Sequence, residues 1–502
     1  MSKPIDARHF SFYNEIKYAF SDGKCSKDFW ETPLGMKKFL KIGDSDQIEP
    51  HHVPLIEEKL KLSINITGDY EYESNNKYPR RITMIYKNDL YTLKVKKQSI
   101  QKIYPANATL TTFYQINGKY MIYDGGDEIV IDETMTEGKL RNSKNVMYRK
   151  FKMSEMTDKD KETLNAFKNK NDEYEEQLAQ FIMKYHDEYI KNIKHLKAIS
   201  GIDVSLSGFS LKQTALNLVS QFWKPYEFQE LDKRETDWIF STKCCALTYF
   251  KEECTVQARL VDFNSFYSSL EIYNKNMFPL GNPIYSTLDI LPVVLSFGIY
   301  RVKISNYDRR LFVHNEKNYY VYTDIKLALK FGYKVELIQD GQQNFLHYSP
   351  ADRESGDKLF KGYVETLFAY KKSNPLVKPL LNILWGSLSE KTKHYSDTTD
   401  GEISDDDDIV DVSEKGKELF LIKKRVYKHN TARIGVFLTS YGRCKMADFM
   451  EDFIDDVARV HTDGLYITGN KEFIFSNEIG GLKLEKSGVF HFKDLKTITQ
   501  LE

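Results

Sequence analysis

The sequence predicts an α+β protein in which groups of short strands alternate with longer helices. Residues 1 to about 150 contain strand-like segments separated by turns, and residues 250–305 return to strands. Stretches with helical spacing cover residues 154–199, 323–334, 357–372 and 439–457. With 502 residues the chain is long enough for about three domains and a large core.

The first part of the chain combines a hairpin with a charged helical region. Residues 81–86 and 91–95 are strand-like and flank Lys87-Asn88-Asp89, which favours a hairpin. From residue 154 to 199 the pattern is helical and strongly charged. Thr157 precedes acidic residues and can cap the start of this region.

Composition excludes several classes of protein. The formal net charge is zero, which argues against a uniformly basic nucleic-acid coat but not against a local basic cleft. The five cysteines form no CxxC pair, so neither a structural zinc site nor a disulfide framework is expected. The N-terminus has no apolar signal core, and the apolar stretch 290–300 is too short to span a bilayer. We expect a soluble, intracellular protein without a membrane partner.

An aspartate closes the apolar run Ala258-Arg259-Leu260-Val261-Asp262. A carboxylate at the end of a buried strand is held rigidly, which suits a metal ligand. Asn264 or Ser265 can cap a helix that follows. The alternative is an ordinary turn at the strand end.

A second aspartate lies in Asp463-Gly464, between the strand-like residues 459–461 and 465–467. Asp-Gly between apolar runs is the strongest short hairpin signal. By itself this aspartate is equally well explained as a structural turn residue.

Between the two aspartates lies a segment with helical spacing. Lys371, Lys378, Asn382 and Trp385 are 7, 4 and 3 residues apart, which would put them on one helix face. Pro379 is tolerated only in a first helical turn, so we expect two helices with a break shortly before Lys378. A lysine near a helix start can reach a phosphate, although a solvated lysine is the alternative.

The order of these segments resembles family B DNA polymerases. The matching segments are Asp262-Phe263-Asn264-Ser265-Phe266-Tyr267-Ser268-Ser269 for the first palm motif, residues 378–386 for the fingers motif, and His461-Thr462-Asp463-Gly464 for the second palm motif. Residues 278–283, Phe-Pro-Leu-Gly-Asn-Pro, resemble a motif of the protein-primed branch, which includes bacteriophage and adenovirus enzymes. The resemblance covers roughly residues 200–500.

The resemblance implies a division of the chain into domains. Residues 1–200 would form an exonuclease-like N-terminal domain with degenerate catalysis, and residues 201–340 the first part of the palm with an insertion. Residues 341–395 would form the fingers. Residues 396–502 would complete the palm, with a solvated acidic loop at 405–408. Since little sequence follows, the thumb is expected to be reduced or absent, and primer extension to be distributive or to need a partner.

The resemblance also implies ligands and roles. Asp262 and Asp463 would be catalytic and would hold two Mg²⁺ ions with the Phe263 carbonyl; Mn²⁺ is expected to substitute. Residues expected to bind the nucleotide are Ser265, Phe266, Tyr267, Lys371, Lys378, Asn382 and Trp385. The expected partners are a DNA primer-template, dNTPs, and a terminal protein or processivity partner.

The chain departs from the family pattern at several positions. His461 replaces an aspartate of the second palm motif, and the exonuclease motifs are reduced to three candidate remnants, Glu15, Asp69 and Asp172. The implied function is a DNA-directed DNA polymerase that replicates a viral or mobile-element genome and is primed by a protein hydroxyl if it follows its branch. The alternative is a catalytically eroded relative that binds nucleic acid or acts as a scaffold.

Overall fold

The computed structural model describes residues 11–13, 16, 30, 32–76, 78, 80–87, 90–93, 102–105, 107–135, 146–242, 245–281, 283–392, 394–396, 407–412, 418–422 and 426–501. The chain forms two compact units, Met1–Ser99 and Ile100–Glu502. Helices and sheets occur in both units, so the α+β class is confirmed in its coarse form. The domain boundaries expected near residues 200, 340 and 395 stay predictions.

The part of the first unit that the structure describes includes two eight-residue helices and a three-stranded sheet. The elements are α1 (Pro33–Leu40), α2 (Val53–Leu60), β1 (Leu62–Gly68), β2 (Arg80–Lys87) and β3 (Leu90–Leu93). β1 runs parallel to β2, and β2 pairs antiparallel with β3, which confirms the predicted hairpin. Leu62, Ile64 and Ile66 alternate along β1 and are all buried, so this face of the strand packs into the core.

The second unit begins with a four-stranded sheet and two helices. The strands are β4 (Thr109–Ile116), β5 (Lys119–Tyr123), β6 (Val130–Asp132) and β7 (Val146–Lys150), in the order β6-β5-β4-β7. The helices are α3 (Asp158–Asn165) and the 30-residue α4 (Asn171–Ser200). The Thr157 side chain accepts a hydrogen bond from the Asp160 N–H at 3.1 Å, so the predicted cap is confirmed.

Six strands form the largest sheet, in the order β23-β22-β9-β21-β20-β8. The strands are β8 (Thr248–Phe250), β9 (Cys254–Phe263), β20 (Val457–His461), β21 (Gly464–Ile467), β22 (Leu482–Phe492) and β23 (Ile498–Leu501). β9 lies between β22 and β21 and pairs antiparallel with both. The strand that carries Asp262 is therefore flanked on both sides by strands from the C-terminal part of the chain.

The remaining elements surround this sheet. The helices are α5 (Leu211–Phe222), α6 (Lys233–Ser241), α7 (Phe266–Glu271), α8 (Tyr322–Lys330), α9 (Gly356–Phe368), α10 (Val377–Leu388) and α11 (Ala432–Met450). The strands are β10 (Met277–Pro279), β11 (Ile284–Ser286), β12 (Gly298–Ser305), β13 (Tyr319–Val321), β14 (Lys334–Leu337), β15 (Phe345–His347), β16 (Arg353–Ser355), β17 (His394–Ser396), β18 (Asp407–Val412) and β19 (Glu418–Ile422). The main core of the second unit takes in side chains from α5 to α11 and from the largest sheet.

Several predicted boundaries were wrong. The helix expected at 323–334 ends at Lys330, because Gly332 adopts a left-handed φ of 71° and the chain continues into β14. The helix expected at 357–372 ends at Phe368. The acidic run was expected to be a loop, but β18 begins at Asp407.

The helix expected at 439–457 begins earlier, at Ala432, and ends at Met450, before a short 3₁₀ segment over Glu451–Asp456. A charged residue, Arg433, interrupts the apolar pattern of its first turn. The Arg433 guanidinium is nevertheless buried and pairs with the Glu235 carboxylate at 2.8 Å. A buried, paired arginine does not fit an apolar pattern. The hydrophobic periodicity of the sequence therefore does not show where this helix begins.

Within the described residues, no helix combines the length and apolar character needed to cross a membrane.

Candidate active site

The two aspartates singled out in the sequence lie side by side in the largest sheet. Asp262 pairs in register with Gly464, the residue that follows Asp463. The Phe263 N–H donates to the Asp463 carbonyl oxygen at 3.2 Å, which ties the hairpin to the end of β9. The strand end and the hairpin turn therefore present their carboxylates at the same edge.

The hairpin that carries Asp463 is tight. His461 pairs with Gly464, so the loop contains only Thr462 and Asp463, and the Asp463 N–H donates to the His461 carbonyl at 2.9 Å. Thr462 has a φ of 66°, which is rare for a β-branched residue. Its N–H donates to the Leu247 carbonyl at 3.2 Å, a contact that helps to hold this conformation. The predicted hairpin is confirmed.

The two carboxylates affect each other electrostatically. Burial and then the negative charge of Asp262 raise the pKa of Asp463 to about 6, although Lys483 and Lys378 lower it. The neighbouring lysines therefore offset only part of the effect of burial and of the Asp262 charge. A further cation near the two carboxylates would favour the charged form of Asp463.

A lysine that the sequence analysis did not single out contacts Asp262 directly. Lys483 on β22 pairs in register with Asp262, and its Nζ lies 3.0 Å from Asp262 Oδ2. The same ammonium group also contacts Glu485 Oε1. Contacts with Glu485 and Asp262 raise the pKa of Lys483 against the opposing effect of burial. The alternation in Leu482-Lys483-Leu484-Glu485 indicates a strand, but nothing local reveals its register.

Lys371 reaches the same site from the segment after α9. Its Nζ donates to Asn264 Oδ1 and, at 2.9 Å, to Ser265 Oγ. Burial and then the charges of Lys483 and Lys378 lower the pKa of Lys371. Three ammonium groups are therefore near one another and near the carboxylates.

The segment after β9 differs from the expected helix cap. Ser265 is the residue before α7. Its backbone φ is 53°, and its side chain makes no capping hydrogen bond. Its hydroxyl instead accepts from Lys371. The Asn264 amide donates to the Asn477 and Glu478 carbonyls at 2.6 and 3.1 Å, which anchors the loop before β22. The predicted cap at Asn264 or Ser265 was wrong because lysine and loop contacts use both side chains.

The predicted break before Lys378 is confirmed. α10 begins at Val377 and carries Lys378, Asn382 and Trp385 at positions i, i+4 and i+7, which share one face. Lys371 is not on that helix, so the expectation of a single face for all four residues was wrong. Lys378 and Asn382 are exposed, and Trp385 is half-buried.

An aromatic pair connects α10 to α7. The Tyr267 ring stacks on the Trp385 ring with centroids 4.5 Å apart and an interplanar angle of 21°. Phe266 is buried, and its ring lies close to the Phe263 and Tyr267 rings. Phe263 is buried as well, and the role expected for its carbonyl stays a prediction.

The structure describes two of the three candidate exonuclease residues, and these two belong to different compact units. Glu15 lies outside the described residues. Asp69 is exposed after β1, where its N–H donates to the Tyr86 carbonyl at 2.8 Å, and Asp172 is exposed in the first turn of α4. Among the described residues, no group of three or more His, Cys, Asp or Glu side chains could hold a metal ion. The assignment of these remnants stays a prediction.

Comparison with known proteins gives structural neighbours only. No protein-family model matches the chain, and no curated protein sequence matches it. The chain is similar to phi29 DNA polymerase complexed with single-stranded DNA, with 16% identity, a TM-score of 0.46, and coverage of 61% of this chain and 56% of that one. A second phi29 DNA polymerase structure, the orthorhombic crystal form, gives 15% identity, a TM-score of 0.45, and coverage of 65% and 60%.

A third similar structure is the family B DNA polymerase from the hyperthermophilic archaeon Pyrobaculum calidifontis. It gives 12% identity, a TM-score of 0.31, and coverage of 65% of this chain and 36% of that one. The chain thus spans less than two thirds of the length of these polymerases. These structural neighbours are DNA polymerases, and the similarity to each of them is low.

Proposed function

We propose that this protein is a DNA-directed DNA polymerase that adds dNTPs to a primer by two-metal nucleotidyl transfer. The observation that carries the proposal is the juxtaposition of Asp262 and Asp463, with Lys371, Lys378 and Lys483 around them. The carboxylates come from segments about 200 residues apart, and the pairing of β9 with β21 brings these segments together. A paired carboxylate edge beside a lysine cluster suits a substrate that combines divalent cations with phosphates.

The donor set fits Mg²⁺. Magnesium prefers carboxylates together with substrate phosphates and water, and Asp262, Asp463 and the Phe263 carbonyl would supply the protein oxygens. The raised pKa of Asp463 reflects burial and the charge of Asp262, and a bound cation would relieve that repulsion. When bound, two such ions supply activation of the primer 3′-hydroxyl and stabilisation of the leaving pyrophosphate.

The lysines bind and orient the triphosphate in this proposal. Phosphoryl transfer depends mainly on positioning and on electrostatic stabilisation of the phosphate oxygens. Lys378 is exposed at the start of α10, and Lys371 is held toward the site by Asn264 and Ser265. Lys371 is partly buried among other cations. Its charge therefore stabilises an incoming anion more than the charge of a freely solvated lysine would.

The aromatic pair and α10 would select the nucleotide. Tyr267 follows the strand end by a few residues, and its ring would lie under the sugar of the incoming dNTP, where an added 2′-hydroxyl would clash. Asn382 and Trp385 share the face of α10 that carries Lys378, so we assign them to the nascent base pair. The Tyr267–Trp385 stack would have to adjust when a nucleotide binds.

Protein priming and a viral or mobile-element genome belong to the same proposal. They are supported by the resemblance of residues 278–283 to the motif of the protein-primed branch. The Leu280 N–H donates to the Asp352 carbonyl at 2.8 Å, and a Cβ at Gly281 would lie 2.0 Å from Asp352 Oδ1. A side chain at Gly281 would require Asp352 to move, so the motif glycine also has a packing reason here. A terminal protein or processivity factor is the partner that this branch would require.

The second candidate function is a catalytically eroded relative that binds nucleic acid or acts as a scaffold. Two observations favour it. His461 stands where the family motif has an aspartate, and one oxygen of Asp262 is engaged by Lys483.

Mg²⁺-dependent incorporation of dNTPs on a primed DNA template separates the two candidates. Asp262→Asn and Asp463→Asn should each reduce the rate by roughly a thousandfold or more, since removal of a bridging carboxylate costs several kcal/mol of transition-state stabilisation. Asp452→Asn, an exposed acidic residue before β20, is the matched control and should retain activity. Turnover near that of the wild type in either aspartate variant would contradict the two-aspartate site, and a wild type without turnover would favour the eroded relative.

A further inference from the structure

The two oxygens of Asp262 have different surroundings. On one side, β9 pairs with β21, and the facing residue is Gly464, where a Cβ would lie 3.5 Å from Oδ1. On the other side, β9 pairs with β22, and Lys483 Nζ lies 3.0 Å from Oδ2. A divalent cation that bound Oδ2 would compete with this ammonium group for the same oxygen.

Lys483 has a second acceptor within reach. Its Nζ also contacts Glu485 Oε1, two residues along β22 at a point where the pairing with β9 is irregular. The ammonium group therefore bridges Asp262 and Glu485. A lysine with two carboxylate partners can give up one of them and remain paired with the other.

The neighbouring positive charges make it unfavourable for Lys483 to leave Asp262 by moving further into the site. Lys371 and Lys378 are close enough to interact with one another, and Lys371 also interacts with Lys483. Movement of Lys483 toward Glu485 takes it away from Asp262 and keeps the lysine paired with a carboxylate.

We propose that Lys483 is a positioning residue that holds Asp262 Oδ2 in the nucleotide-free protein and passes to Glu485 when a divalent cation binds. This inference rests on the proposed function, because it concerns the carboxylates assigned to metal binding. The ion pair competes with the cation for Oδ2 and so weakens metal binding in the absence of nucleotide.

The test is a titration of the nucleotide-free protein with Mn²⁺, with free Mn²⁺ measured by electron paramagnetic resonance. Lys483→Met removes the ammonium group and keeps most of the aliphatic stem. It should tighten Asp262-dependent Mn²⁺ binding by about tenfold or more, because a unit positive charge next to the ligand is lost. Lys486→Met removes an exposed lysine from the same strand, serves as the matched control, and should change the affinity by less than about twofold.

A substitution at Glu485 should change Mn²⁺ binding in the opposite direction. Glu485→Gln removes the alternative acceptor, so Lys483 should stay on Asp262 and Mn²⁺ binding should weaken. In the Lys483→Met background no lysine remains to be released, so Glu485→Gln should weaken binding less than it does when Lys483 is present. If Glu485→Gln instead weakens binding equally in both backgrounds, Glu485 acts on the cation directly, through its charge or as a ligand, and the proposed transfer of Lys483 is wrong.

The outcomes separate this inference from the proposed function. Asp262→Asn and Asp463→Asn, titrated with and without dATP, define the binding that depends on the two carboxylates. If the wild type shows no such binding even with dATP, the proposed polymerase site fails. If the wild type shows it with dATP but Lys483→Met leaves nucleotide-free binding unchanged, only the role given to Lys483 is overturned.

Discussion

Replacement of Asp463 by asparagine should stabilise the fold of the metal-free protein while it abolishes activity. Asp463 is held beside Asp262 in a two-residue hairpin loop, and burial together with the Asp262 charge raises its pKa to about 6. Asparagine is nearly isosteric and carries no charge. The substitution therefore removes an unfavourable charge and keeps the hairpin geometry.

The magnitude follows from linkage between protonation and folding. The difference between the ordinary pKa of 3.8 and the folded value of about 6 corresponds to about 3 kcal/mol, at about 1.4 kcal/mol for each pKa unit. Since the folded value is the higher one, the folded state binds the proton more tightly and loses stability as the pH rises from about 4 to about 6. The gain on Asp463→Asn should thus be complete at pH 7.5 and nearly absent at pH 4.

The assay is thermal unfolding in EDTA, with the wild type and the variant compared at each pH. An unfolding entropy of about 2.1 cal/mol/K per residue over the second unit, Ile100–Glu502, converts about 3 kcal/mol into an increase in Tm of roughly 3 °C at pH 7.5. Asp452→Asn is the control and should leave Tm within about 1 °C. A Tm for Asp463→Asn at or below that of the wild type at pH 7.5 would refute the electrostatic reasoning.

Three further predictions concern selection, nuclease activity and stability. Tyr267→Ala should admit ribonucleotides, because the ring no longer blocks a 2′-hydroxyl; an unchanged preference for dNTP over rNTP in competition assays would exclude Tyr267 as the gate. Degradation of labelled single-stranded DNA should be weak or undetectable, and robust degradation that Asp172→Ala abolishes would show an active exonuclease. Arg433→Met should lower the free energy of unfolding by about 3–5 kcal/mol, because Glu235 would remain buried without its cation, and Arg433→Met/Glu235→Leu should recover part of that loss in thermal or denaturant unfolding.

The parts of the site that local sequence determines could be predicted. The sequence predicts a hairpin at Asp463-Gly464 between short apolar strands, and the structure has a hairpin there whose two-residue loop is Thr462-Asp463. The break before Lys378 follows from proline, which has no N–H to continue a helix. These features depend on residues close together in the chain, so no knowledge of the tertiary structure is needed.

The parts that depend on strand register and buried charge could not be predicted. Lys483 faces Asp262 because β22 pairs with β9 across more than 200 residues of sequence, and a register one residue different would turn its side chain to the other face. Ser265 resembles a helix cap, yet its hydroxyl accepts from Lys371, which lies 106 residues away in sequence. The start of α11 was missed for a related reason. Arg433 is buried and forms an ion pair with Glu235, which is distant in the sequence.

The charges of the candidate site suggest why cation and nucleotide should bind together. Three carboxylates, those of Asp262, Asp463 and Glu485, are close to the three lysines described above, so the formal charges balance when no ligand is bound. A divalent cation alone would add positive charge beside the lysines, and a triphosphate alone would add negative charge beside the carboxylates. Each imbalance is unfavourable in a partly buried site, where charges are screened less than in water. A triphosphate that arrives with its metal ions brings charges that largely cancel, so the arrangement favours the joint complex over either ligand alone.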